Sequence, residues 1–142
     1  MEITITGCVD PVDSTAGTKV LSRDGCWIRF RASRVEGTAR LIADASKMVI
    51  GTRLFVESGY DRVEKFELES DQGEDTLDPV SGTGNYAVRG LVVHAWQDNV
   101  IVVRVHDMQI MLKIPDDVRV ACRHGIRCKF ILYGLSLWET ST

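Results

Sequence analysis

The sequence predicts an all-β protein with minor helix content, built as two antiparallel barrels in tandem that arose by internal duplication. Three observations predict it. A Gly-x-Arg followed by an apolar run occurs twice, as "GTRLFVESGY" at 51–60 and "GIRCKFILYG" at 125–134, and each copy reaches a Tyr close to a Gly. Short apolar stretches elsewhere alternate with a period of two, the spacing of half-buried strands. Between the halves, "ESDQGEDTLDPVSGTGN" at 69–85 offers only Leu77 and Val80 as apolar side chains. Such a segment buries too little surface to offset its ordering entropy and reads as a linker between residues 1–68 and 86–142.

The first half opens with Ile3-Thr4-Ile5-Thr6, a strict alternation, and Gly7 reads as a bulge. After the turn-rich "DPVDSTAG", residues 19–30 read as two strands joined around Asp24-Gly25, a strong hairpin signal. Leu41, Ile42, Ala45 and Met48 have helical spacing, which predicts a helix over 38–49 capped by Thr38 and ended by Gly51. Leu54 and Val56 then alternate as a strand, and Phe66 and Leu68 as another. The second half repeats the order. "YAVRGLVV" parallels "ITITGCV", with Gly90 in the place of Gly7, and residues 100–105 and 108–114 form a hairpin around His106-Asp107. Asp116 caps one or two helical turns that end by Gly125, and strands 128–133 and 135–138 close the chain. Strand, hairpin, short helix, strand, strand is the order of the OB-fold, in which the helix lies between strands three and four. Each decamer quoted above is then a fourth strand. Barrels of about 60 residues are small enough to need a shared interface.

Residues 27–60, "WIRFRASRVEGTARLIADASKMVIGTRLFVESGY", resemble the bacterial single-stranded-DNA-binding protein family and its primosomal relatives. Trp27, Ala43-Asp44, Ile50-Gly51 and Leu54-Phe55-Val56-Glu57 stand where that family has its Trp, Ala-acid helix, Lys-Gly and fourth strand. The basic residue before Gly51 is replaced by Ile50, Ser58 follows Glu57, and the chain ends "LWETST" without the family's acidic tip. The resemblance implies a barrel and a single-strand ligand.

Strand 26–32 places Trp27, Arg29 and Arg31 on one face and Ile28, Phe30 and Ala32 on the other. An indole beside two guanidiniums suits single-stranded nucleic acid, since the ring stacks on a base and the cations neutralise phosphates. Arg34, Arg53, Phe55 and Tyr60 extend that surface. Arg104, Lys113, Arg127 and Lys129, with Trp96, Tyr133 and Trp138, offer a weaker equivalent, although Trp138 suits packing between barrels.

The net charge of −3 is unevenly distributed. Residues 67–85 hold six carboxylates and no Lys or Arg, while 1–66 carry ten basic and nine acidic groups and 86–142 seven and five. An acidic run of this kind is either a solubilising linker or, over 67–78, a docking segment for a basic protein partner such as an inhibitor, an immunity-type protein or an assembly adaptor would use. Cys122, His124 and Cys128 lie within seven residues but lack the paired spacing of a zinc site, so neither metal nor cofactor is expected. No nucleophile elbow, phosphate loop or dinucleotide fingerprint occurs, which favours a non-catalytic protein. There is no apolar run long enough to span a membrane and no secretory leader, so a cytoplasmic location with reduced thiols at Cys8, Cys26, Cys122 and Cys128 is expected.

Overall fold

Alternation at the start of the chain has the expected consequence: strand β1 (Glu2–Cys8) buries Ile3 and Ile5 completely and turns Glu2 and Thr6 outward. The computed structural model describes residues 1–9, 26–70, 73–96 and 98–140. The hairpin expected around Asp24-Gly25 and the loop before it lie outside the described residues. Strand β2 (Cys26–Arg31) points Ile28 and Phe30 inward, β3 (Glu36–Ile42) points Ala39 and Leu41 inward, and β4 (Arg53–Gly59) does so with Leu54 and Val56. There follow β5 (Arg62–Glu69), β6 (Thr76–Pro79), β7 (Tyr86–Ala95), β8 (Val100–Val105) and β9 (Met108–Lys113). A single helical turn, α1 (Asp116–Arg119), precedes β10 (Arg127–Tyr133) and β11 (Ser136–Glu139).

Five strands close a barrel in the order β1-β2-β3-β11-β4, with β4 returning to β1. Within it only β3 and β11 run parallel. The other strands form a second, antiparallel sheet ordered β5-β10-β7-β8-β9, and β6 pairs with the start of β7.

The strands are not allotted by sequence halves. β11, expected in the second unit, completes the first barrel, and β5, expected in the first, flanks β10 in the second sheet. The cause lies at two connections of two residues each, Tyr60-Asp61 after β4 and Gly134-Leu135 after β10. Connections of that length ordinarily fold a strand back on itself. Here both run on instead. Gly59 pairs with Ser136 and Arg62 with Tyr133 in one unbroken frame, from Val56 opposite Glu139 to Glu64 opposite Ile131. β4-β5 and β10-β11 are thus a continuous antiparallel ribbon that passes from barrel to sheet. At the crossing, the Asp61 N–H donates to Tyr133 O at 2.9 Å, and Gly134, at φ +71°, lies so close that any Cβ would meet the Asp61 carboxylate.

Within each half the remaining strands correspond. The order β9-β8-β7-β10 matches β3-β2-β1-β4, and a short helix or 3₁₀ turn lies between third and fourth strands in both, at Ala45–Lys47 and Asp116–Arg119. Arg53 faces Thr4 and Arg127 faces Leu91, and in each case the first strand breaks register two residues later, after Ile5 and after Val92. The decamers of the two Gly-x-Arg runs hold β4 and β10. Gly90, expected to parallel Gly7, lies next to Leu91 in β7 and lets β8 approach closely, since a Cβ there would lie 2.6 Å from a Val103 methyl. The units differ in closure. No pairing between β9 and β5 occurs among the described residues, so the second sheet stays open.

The helix expected over 38–49 is replaced by the second half of β3 and a 3₁₀ turn at Ala45–Lys47. Helical spacing of Leu41, Ile42, Ala45 and Met48 is outweighed by pairing: β3 has β2 on one side and β11 on the other. Residues 69–85 are also more than a linker, because β6 pairs with β7 over Thr76–Pro79. One contiguous core runs from Ile3 through Phe30, Val88, Ile110 and Phe130 to Leu137, so barrel and sheet are packed as one body. Tyr86 ties them further. Its hydroxyl donates to Thr38 O at 2.8 Å and accepts from the Thr38 N–H at 2.5 Å. No helix among the described residues is long and apolar enough to cross a membrane.

Candidate nucleic-acid interface

Because Ile28 and Phe30 fill the barrel, the intervening Arg29 and the following Arg31 stand exposed on its outer surface, as the alternation requires. Arg31 sits directly opposite Thr4 of β1, and Thr4 sits opposite Arg53 of β4. Cross-strand partners share a face, so Arg31 and Arg53 flank Thr4 with two strand spacings, about 10 Å, between their backbones. Phe55, two residues beyond Arg53 on the same face, is 47% exposed. Arg29 runs along Gly7, where the missing side chain leaves its methylenes against backbone. Arg34 projects from the turn between β2 and β3. The carboxylates beside this group are Glu2, opposite Phe55, Glu36, opposite Arg31, Asp107, which lines one hollow with Arg31 and Arg53, and Glu139, which lines another with Arg53 and Phe55 and pairs with Lys47. Even so, Arg29, Arg31, Arg34 and Arg53 make no ion pair with any described residue.

Two of the expected residues are placed differently. Trp27 lies on the same face of β2, but it is half-buried and its ring is packed against Gly84, whose Cα leaves no room for a side chain there. The turn preceding β7 therefore occupies one side of the indole. Tyr60 sits at the crossing between β4 and β5 and accepts a long hydrogen bond, 3.4 Å, from the Lys113 N–H. It faces the seam between barrel and sheet rather than the arginines. Thr4, the residue between Arg31 and Arg53, was not singled out by sequence reasoning, although its outward place in the alternation of β1 is the signal that marks it.

The cations of β7 and β10 are engaged, whereas Arg104 of β8 and Lys113 of β9 make no ion pair with any described residue. Arg127 binds Asp75 at 2.6 Å, with the pair 15% and 17% exposed. Arg89 lies 3.4 Å from Glu69, and Lys129 lies 3.4 Å from Glu67 and 3.9 Å from Glu69. The Arg62 guanidinium covers the Tyr133 ring at 4.1 Å. Burial pushes the Asp75 carboxyl up, but hydrogen bonds from the His106 N–H and from Arg127, with the Arg127 charge, outweigh it and hold the group below the usual value. Much of the acidic segment's charge is therefore taken up inside the molecule.

Cys122 and Cys128 are buried, and burial raises both thiols, Cys128 to about 12, with the neighbouring Cys122 adding to the rise. Among the described residues no three His, Cys, Asp or Glu side chains gather as metal ligands would. His94 packs edge-on against Trp96, with ring centroids 4.3 Å apart. Comparison with protein-family models, with curated proteins and with solved structures finds no match for this chain.

Proposed function

We propose that the protein binds single-stranded nucleic acid without catalysis, through the outer face of β2, β1 and β4. In this reading the closed barrel is an OB-type barrel and the second sheet a diverged, open copy whose fifth strand has been exchanged with that of the first. Shared strand order, register and break position in the two halves support that descent. The observation that carries the function is a cluster of unpaired charge on one face: Arg31 and Arg53 flank Thr4 beside an exposed Phe55, with Arg29 and Arg34 further along β2, and none of the four pairs with a described acid. Unpaired guanidiniums supply the salt-dependent phosphate term, and an exposed ring supplies a base-stacking surface tolerant of sequence. Phe55 takes the stacking role that the sequence suggests for Trp27. The overall acidity of the chain favours an affinity on the order of micromolar at low salt.

Fluorescence anisotropy of a labelled oligonucleotide of mixed sequence tests this. Wild-type protein is expected to bind the single strand and to prefer it to the corresponding duplex. Phe55→Ala should weaken binding by about 1–3 kcal/mol, the contribution of one stacked base. Failure to bind any single strand at low ionic strength would refute the reading.

A further inference from the structure

The free edge of β9 opens onto a cleft of about 810 Å³ between the barrel and the second sheet. Its lining includes Glu57, Tyr60, Trp96, Asp107, Met111 and Trp138, and no Lys or Arg. Three large apolar side chains are exposed there: Trp96 at 39%, Met111 at 57% and Trp138 at 37%. Trp138 is held in place, its indole N–H donating to Glu57 Oε2 at 3.2 Å. Gly59 lets the ring lie across β4, where a Cβ would come within 2.6 Å of it. A cavity walled by aromatic faces and carboxylates favours a cation.

The backbone at the same place adds an independent indication of what enters. Ile114 donates to Asn99 O, which fixes the ladder of β8 and β9 so that Met108, Ile110 and Leu112 bond to β8. Gln109, Met111 and Lys113 then direct their N–H and C=O groups to the free edge. Ser58 Oγ donates to Gln109 O at 2.5 Å, and the Lys113 N–H donates to Tyr60 Oη, consistent with that alternation. The main-chain groups of Met111, between these two, have no hydrogen-bond partner among the described residues. An edge strand with an open donor and acceptor is a template for an added strand.

We propose that this cleft binds an extended, basic peptide segment of a protein partner. The segment adds to the edge of β9 through hydrogen bonds to the Met111 N–H and C=O. A Lys or Arg side chain enters the cleft against the rings of Trp96 and Trp138 and is neutralised by Glu57 and Asp107. This surface adjoins the arginine face, with which it shares Met1 and Asp107, and its occupant carries the opposite charge.

Nuclear magnetic resonance with the full chain tests it, using capped pentapeptides Val-Lys-Val-Lys-Val and Val-Glu-Val-Glu-Val as probes. The lysine peptide should bind and slow exchange of the Met111 amide, and the glutamate peptide should not bind. Glu57→Gln should weaken lysine-peptide binding about 5–10-fold, as expected for loss of one charge contact in a cleft. Trp96→Ala should weaken it several-fold through loss of the cation–π surface. Equal binding of both peptides, perturbation confined to residues away from β9, or no effect of Glu57→Gln would each overturn the proposal. An unchanged amide spectrum at the remaining positions verifies that each variant is folded.

Discussion

Leu137→Ala is expected to destabilise the protein by about 2–5 kcal/mol, and to loosen the barrel rather than the strands adjacent in sequence. Leu137 is completely buried, so truncation removes its apolar surface from the core and leaves a cavity that its neighbours fill only in part. Its strand pairs with β3 through Leu41 and with β4 through Ser58. Hydrogen exchange should therefore quicken first in β3 and β4. If β11 folded back on β10 as a simple hairpin, the loosened amides would lie in β10 and β7 instead. Denaturant unfolding supplies the magnitude, and site-resolved exchange decides between the two arrangements.

The second large effect belongs to the acidic segment. Asp75→Asn is expected to cost about 3 kcal/mol, because it leaves the mostly buried Arg127 charge uncompensated. Arg127 is poorly placed to find another partner, since its Nε and Nη2 are buried without one already. The pH dependence has a definite sign. Asp75 titrates below its ordinary value in the folded protein, so its stabilising contribution is complete above about pH 4 and is lost as pH falls through the depressed folded value. The stability gap between wild type and Asp75→Asn should accordingly be constant near neutrality and close only in acid. A gap that closed between pH 5 and 7 would assign the effect to another group.

How far the sequence could be read depends on which interactions decide each element. Strands β1, β4, β8, β9 and β10 were legible because one face of each is buried in a closed core, which forces apolar residues into alternation. The 38–49 segment was not. Its Leu41, Ile42 and Met48 fit a helix period, and β3 is settled by two neighbouring strands of which one, β11, lies almost a hundred residues away. The turn from β2 to β3, "ASRV", carries no Gly, Asn or Pro to announce it. The passage of strands from barrel to sheet is harder still to see. Tyr60-Asp61 and Gly134-Leu135 have hairpin length, and local sequence does not say whether such a hairpin closes on itself or stays open to pair with a distant strand. The exposure of Arg29, Arg31, Arg53 and Phe55 follows directly from alternation along β2 and β4, and that of Arg34 from its turn. The groups that engage Trp27 and Tyr60, Gly84 and the Lys113 N–H, come from the other half of the chain and are not legible locally.

Salt dependence of oligonucleotide binding addresses the proposed function most directly. The logarithm of the binding constant for a single strand should fall linearly with the logarithm of salt concentration, each phosphate contact contributing about −0.7 to the slope. Arg31→Ala and Arg53→Ala flank Thr4 on one face and should each make the slope shallower by about 0.7, and the double variant by about 1.4. Lys129→Ala, whose ammonium already pairs with Glu67, should leave the slope unchanged. Slopes identical in wild type and in the Arg31→Ala/Arg53→Ala double variant would contradict binding at the arginine face.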